Sequence, residues 1–75
     1  MEERMARLWE IVFGREVGDN EDFFLDLGGD SLQAVQLIDL VVTEFGVPAS
    51  VADLFELSTP AELMSAVREP QAGRP

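Results

Sequence analysis

The apolar residues of this chain recur at the three- and four-residue spacing of amphipathic helices, and the first such pattern lies near its start. It predicts a helix from about Glu3 to Phe13, with Gly14 as the stop. Its apolar stripe consists of Met1, Met5, Leu8, Trp9 and Val12. One face of this helix is therefore expected to lie against a core.

The second helix has the clearest start signal. Asp30 is a good N-cap, and Gln33 three residues later completes a variant of the capping box. Gly46 is expected to end the helix after Glu44 or Phe45. The predicted core face is Ala34, Leu37, Ile38, Val41 and Phe45. A second apolar set, interrupted by Asp39, lies roughly 100° around the helix and need not be covered by the rest of the domain. It consists of Leu32, Val35 and Val42.

Two further helices are marked by their caps. Ser50 is expected to cap a short third helix over about 51–56. Thr59 caps a fourth helix, with Pro60 at its first position and Glu62 completing the capping box. The predicted core face of the fourth helix is Ala61, Met64 and Val67, with Leu63 beside them.

A long connection joins the first two helices, from Gly14 to Asp30. A merely flexible linker would not carry so many large apolar groups. We therefore expect one or both of Phe23 and Phe24, together with Leu27, to pin this loop to the core. Gly28 and Gly29, which follow, are expected to allow a tight turn.

These elements predict an all-α fold, a small four-helix bundle of three longer helices and one short helix, with a long ordered loop between helices 1 and 2. The domain is expected to span residues 1–69, with residues 70–75 as a flexible tail. The chain has 75 residues and no cysteine, so its thin core has no disulfide support. No additional strong apolar face is left over, which predicts a monomer.

Charge and missing residue types narrow the function. The net charge is −10, and between Glu16 and Val67 there are eleven acidic residues and no basic one. Such a surface repels nucleic acid and anionic membranes and favours partners with basic patches. The chain has no histidine, lysine or tyrosine, which removes a Ser-His-Asp triad and a Schiff base and argues against an enzyme. No apolar run spans a membrane and no signal peptide follows Met1, so we expect a cytoplasmic protein.

Ser31 is the strongest candidate for chemistry. Its hydroxyl is predicted in the first turn of the second helix, where the free N–H groups and the positive end of the helix dipole favour a phosphate. The glycines before it let another protein approach, and the second apolar set begins at the next residue, Leu32. Each feature alone has an ordinary structural explanation. The serine could simply begin the helix, the glycines could simply form a turn, and the apolar side chains could be covered by the long loop. Their combination within eleven residues favours a modification site beside a docking site.

The run Phe23-Phe24-Leu25-Asp26-Leu27-Gly28-Gly29-Asp30-Ser31-Leu32 resembles the attachment motif of thiolation domains. These are the peptidyl carrier proteins of nonribosomal peptide synthetases, within the acyl carrier superfamily, and the resemblance extends from about Arg4 to Arg68. It implies that a separate phosphopantetheinyl transferase attaches a 4'-phosphopantetheine arm from coenzyme A to Ser31. Gly28 and Gly29 would shape the turn, and Asp30 and Leu32 would flank the arm.

The same resemblance implies a non-catalytic carrier that holds amino-acyl or peptidyl groups as thioesters. An adenylation enzyme would load it, and condensation, tailoring or thioesterase enzymes would consume its cargo. The expected docking residues are Leu32, Val35, Asp39 and Val42.

Three alternatives remain open. Many peptide carriers have histidine before the modified serine, whereas Asp30 is typical of fatty-acid and polyketide carriers, so an acyl carrier of one of those systems is the first. A plain acidic interaction module that uses Leu32, Val35 and Val42 is the second. A calcium loop over 19–26 is the third, but the glycine and the closing glutamate of an EF-hand are missing, so we expect no metal.

Overall fold

The chain forms four α-helices, which a computed structural model describes over residues 2–68. They are α1 (Glu3–Phe13), α2 (Ser31–Phe45), α3 (Val51–Glu56) and α4 (Pro60–Arg68). The described residues include no strand, and the all-α four-helix prediction is confirmed. Met1 and the predicted tail at 70–75 lie outside the described residues.

Glycine ends both long helices, as the sequence predicts. Gly14 and Gly46 have φ angles of 72° and 68°, in the left-handed region that residues with a side chain rarely adopt. The Gly14 N–H donates to the carbonyl oxygen of Glu10, and that of Gly46 donates to the carbonyl oxygen of Val42. Each glycine therefore satisfies one of the carbonyl groups that a helix end leaves free.

Side chains at the first turns secure the shorter helices. The Ser50 N–H donates to a carboxylate oxygen of Asp53 at 2.9 Å, at the start of α3. At the start of α4, the Glu62 N–H donates to the Thr59 hydroxyl at 3.2 Å, and the Thr59 N–H donates to the Glu62 carboxylate at 3.3 Å. The Thr59 side chain therefore caps α4 as predicted, whereas at Ser50, the N-cap residue of α3, the contact is made by the Asp53 carboxylate.

The core lies between the four helices and the long loop. Its buried members are Met5, Leu8, Trp9, Val17, Phe23, Ala34, Leu37, Ile38, Val41, Leu54, Leu63, Met64 and Val67. Phe45, predicted on the core face of α2, is only half-buried at the end of the helix. The guanidinium carbon of Arg4 lies 4.6 Å from the centre of its ring, so a cation covers the outer part of this aromatic side chain.

The core face of α4 differs by one position from the prediction. Leu63, placed beside the core by the sequence, is 1% exposed, whereas Ala61 is half-buried. The buried stripe begins at Pro60 and continues at the spacing of three, four and seven residues. Ala61 lies towards the long loop, and its N–H donates to the carbonyl oxygen of Asp19 at 3.1 Å.

No helix within residues 2–68 combines the length and apolarity needed to cross a bilayer.

Candidate functional site

The first half of the loop between α1 and α2 is held by one ion pair and one buried side chain. The Arg15 guanidinium donates to the Glu21 carboxylate at 3.0 Å, and the same carboxylate accepts from the Gly18 N–H at 2.8 Å. Val17, between these two contacts in the sequence, is buried in the core. Helical periodicity could not identify it, because it lies outside any helix. The loop is therefore ordered before it reaches the motif.

Asp22 begins a single turn that carries the two phenylalanines. Its carboxylate accepts from the N–H groups of Phe24 and Leu25, both at 2.9 Å, and its own N–H donates to the Asp26 carboxylate at 2.8 Å. The hydrogen bond from the Leu25 N–H is the main cause that lowers the pKa of Asp22.

Residues 2–68 contain no group of three or more side chains placed to hold a metal.

Phe23 is the main anchor of the loop. It is fully buried, and its ring meets those of Trp9 and Phe13 edge to face, with ring centres 5.8 and 5.1 Å apart. Its N–H donates to the carbonyl oxygen of Ser58 at 2.7 Å, so the loop is also attached to the segment before α4. Phe24 and Leu27, the other predicted anchors, are half-buried.

The two glycines before the site have different roles. Gly28 has a φ of 65°, so it makes the turn that the sequence predicts. The φ of Gly29 is not positive, which corrects the expectation that both glycines serve the turn for the same reason. A Cβ at Gly29 would lie 2.7 Å from Cδ1 and Cζ of Phe23. Gly29 is thus required because the Phe23 ring occupies the space of a side chain.

Ser31 follows this turn as the first residue of α2, and it is exposed. Asp30 supplies the helix cap, because its carboxylate accepts from the Gln33 N–H at 2.9 Å while the Gln33 side chain accepts from the Asp30 N–H at 3.1 Å. A Cβ at Gly28 would meet nothing within 4 Å, which leaves open space beside the turn. The site therefore presents an exposed hydroxyl at a helix N-terminus, after a turn with open space beside Gly28.

These residues fit a phosphodiester-linked arm. The Ser31 hydroxyl is exposed and is not needed as the cap, and the N-terminal end of α2 favours an attached phosphate. The chain has no histidine or lysine to activate the hydroxyl.

The predicted docking face is present on one side of α2, but unevenly. Leu32 is 70% exposed and Val35 is 47% exposed, and Asp39 is also exposed. Val42 is half-buried and packs against the core, so it contributes less surface than the sequence suggests. The side of the helix that begins at Ser31 is therefore apolar and largely open towards its N-terminal end.

Three exposed apolar residues were not predicted from the sequence, and one of them is Ile11 on α1, which is 60% exposed. Leu25 is 87% exposed in the loop, and Phe55 is 66% exposed on α3. The Phe55 ring stacks on that of Phe24, with centres 4.8 Å apart and planes 1° from parallel. The sequence gives no signal for Phe55, because adjacent residues of a helix can both be buried, as Leu63 and Met64 are in α4.

Comparison with protein families gives a match over nearly all of the described chain. The family described as "Phosphopantetheine attachment site" matches residues 3–67, which include all four helices except the last residue of α4. The match therefore contains the glycine turn and Ser31.

Curated relatives of the chain are much longer proteins. Nonribosomal peptide synthetase 1 of Ajellomyces capsulatus is 44% identical over 63 residues, which is 83% of this chain and 3% of that protein. Pyochelin synthetase PchE of Pseudomonas aeruginosa is 40% identical over 62 residues, again 83% of this chain and 4% of that protein. The chain thus corresponds to a small part of each of these relatives.

A solved structure has the same fold. It is BlmI, a type-II acyl-carrier-protein from Streptomyces verticillus involved in bleomycin biosynthesis. The TM-score is 0.78 at 32% identity, and the superposition covers 85% of this chain and 77% of that one.

Proposed function

We propose, from the premise that this chain belongs to the phosphopantetheine attachment-site family, that Ser31 is the residue that carries the arm. The observation that carries this proposal is that the residues before Ser31 supply the cap and the turn at the start of α2. Asp30 caps the helix and Gly28 makes the turn, which leaves the exposed Ser31 hydroxyl without a structural task. Asp30 and Leu32 flank the arm on either side.

Attachment would be a phosphoryl-group transfer from coenzyme A. The Ser31 Oγ forms a bond to the phosphorus of the phosphopantetheine group as the bond from that phosphorus to the bridging oxygen breaks. The hydroxyl proton leaves with the transferase base, and adenosine 3',5'-bisphosphate is the leaving group. The positive end of α2 would stabilise the resulting phosphodiester.

The chain acts as a carrier in nonribosomal peptide synthesis. When bound, the arm supplies a terminal thiol that holds an amino-acyl or peptidyl group as a thioester. The chain itself would catalyse no step, since its residues supply only the attachment point and the surface around it. The proposed carrier domain spans residues 1–69 and is followed by a tail at 70–75. We place it in the cytoplasm as a monomer, in the compartment where coenzyme A is available to its transferase.

Partner enzymes would bind beside Ser31. A phosphopantetheinyl transferase, an adenylation enzyme and condensation, tailoring or thioesterase enzymes must each reach the same position. The exposed side of α2 offers them Leu32 and Val35 as apolar contacts, Asp39 as a charge and part of Val42. The acidic surface favours partners with basic patches, because complementary charge raises the rate of encounter.

The test is intact-mass measurement after incubation with coenzyme A, magnesium and a broad-specificity phosphopantetheinyl transferase. We expect the addition of one phosphopantetheine to the wild type and none to Ser31→Ala. Ser65→Ala is a matched control, because Ser65 is an exposed serine on α4, and this variant should be modified like the wild type. No addition to folded wild-type protein would favour the plain interaction module instead.

A second candidate is an acyl carrier of a polyketide or fatty-acid system. It is favoured by Asp30, which stands before the serine as in those carriers, and by the similarity to a protein described as a type-II acyl-carrier-protein. Charging of the modified protein discriminates between the two. Loading with an amino acid by an adenylation enzyme supports the peptide role, and acceptance of malonyl groups alone would support the second candidate.

A further inference from the structure

The ring of Phe23 connects the interior of the bundle to the turn that leads to Ser31. It is wedged between the rings of Trp9, Phe13 and Phe24, whose centres lie 5.8, 5.1 and 4.8 Å away. Its main chain is held by the 2.7 Å hydrogen bond from its N–H to the carbonyl oxygen of Ser58. Both the ring and its backbone are therefore attached to elements other than α2.

Gly29 packs directly on this ring. Its N–H donates to the carbonyl oxygen of Phe23 at 2.8 Å, and its Cα is so close that an added Cβ would overlap the ring edge. Because Phe23 is surrounded by other rings, it cannot move aside without disturbing the core. The turn would have to move instead. The φ of Gly29 is compatible with other residues, so the restriction at this position comes from the contact and not from the backbone conformation.

We propose that Phe23 is a positioning residue for modification of Ser31 and acts through Gly29. This inference rests on the proposed attachment at Ser31. Only Asp30 separates Gly29 from Ser31, so a displacement of the turn shifts the serine and the approach to it. Group transfer between two proteins depends on the placement of the reacting atoms, and a displacement of about 1 Å can reduce the rate by about a hundredfold.

The experiment compares four variants by their kcat/KM for transfer from coenzyme A, each at a temperature where circular dichroism shows it fully folded. Gly29→Ala should have a kcat/KM at least about tenfold lower than that of the wild type. The double variant Phe23→Leu with Gly29→Ala should be modified faster than Gly29→Ala alone, since leucine lacks the Cε1 and Cζ atoms, two of the three ring atoms that the new methyl group would meet. Phe23→Leu alone, which loses the ring that packs on Gly29, should also be modified more slowly than the wild type.

Leu63→Ala is the control for stability. Leu63 is 1% exposed on α4, so this variant loses core packing without altering the turn, and its transfer rate should equal that of the wild type. If the double variant is modified faster than Gly29→Ala although it also lacks the buried ring, Phe23 affects the rate through the position of the turn and not through stability. A merely structural role for Phe23 predicts the opposite order, with the double variant the slower of the two.

Several results would overturn the proposal. One is a folded Gly29→Ala that is modified at the wild-type rate, and another is a double variant no faster than Gly29→Ala. If Gly29→Ala does not fold, equal transfer rates for Phe23→Leu and Leu63→Ala would also overturn it. Failure of the wild type itself to accept the arm would refute the attachment at Ser31, and this outcome is distinguishable from the others.

Discussion

Replacement of Asp30 by alanine tests the capping of α2 directly. The substitution removes the carboxylate that accepts from the Gln33 N–H at 2.9 Å. The other half of the capping box, in which the Gln33 side chain accepts from the N–H of residue 30, can remain. Loss of such an N-cap costs about 0.5–2 kcal/mol. Because the site is exposed and water can replace the lost partner, we expect about 1 kcal/mol. In a domain of this size, that corresponds to a decrease in Tm of about 4–8 °C.

Urea unfolding of the wild type and three variants would measure this value. Asp30→Asn keeps a side-chain oxygen in the capping position and should remain within a few tenths of a kcal/mol of the wild type, as asparagine and aspartate cap about equally well. Asp39→Asn makes the same change of charge in the exposed middle of α2 and controls for relief of the net charge. The difference between Asp30→Ala and Asp30→Asn then isolates the hydrogen bond.

Two results would refute this reasoning. If Asp30→Ala and Asp30→Asn unfold at the same urea concentration, the cap contributes nothing measurable to the free energy of unfolding. If Asp39→Asn changes stability as much as Asp30→Ala, the effect comes from the negative charge and not from the geometry of the helix start. An altered m-value in either variant would mean that the compactness of the folded or unfolded state has changed.

Three further predictions address the core, the surface and the response to pH. Ile38→Ala should destabilise the fold by about 2–5 kcal/mol in a chemical melt, because Ile38 is buried, whereas Val35→Ala should cost much less. Asp39→Arg should fold normally and slow loading in an enzyme assay with partners that approach with positive charge, and an unchanged rate would place docking elsewhere. The hydrogen bond from the Leu25 N–H lowers the folded-state pKa of Asp22, so its contribution to stability is present above the unfolded value and is lost as the pH falls below about 4. Asp22→Ala should therefore show a smaller decrease in Tm between pH 5 and pH 3 than the wild type, and parallel Tm curves would contradict this.

The ends of the helices and the place of Ser31 were predictable from sequence. Asp30 with Gln33 and Thr59 with Glu62 are partners three residues apart, and the structure shows both pairs hydrogen-bonded. Gly46 ends α2 for an equally local reason, the backbone conformation that it adopts. Interactions over three or four residues are visible in a sequence, because the geometry of a single helical turn brings these groups together.

The interior of the long loop was decided by the tertiary structure. Phe23 and Phe24 are adjacent and chemically identical, yet only Phe23 is fully buried, because the loop directs its ring between Trp9 and Phe13. Gly29 looks in the sequence like a second turn glycine, and its actual role depends on the Phe23 ring six residues earlier.

The rotation of a helix about its own axis was also decided by the tertiary structure. Leu63 lies in the core where Ala61 was expected, because the phase of a short helix depends on which neighbours it meets. Periodicity gives the apolar stripe of a helix but not its exact rotation against the other elements, and it gives nothing for a loop, where successive side chains follow no regular direction. The sequence by itself thus determined the helices, their caps and the candidate serine. The tertiary structure decided which aromatic ring packs against Gly29 in the turn before that serine, since contacts between distant segments depend on the path of the whole chain.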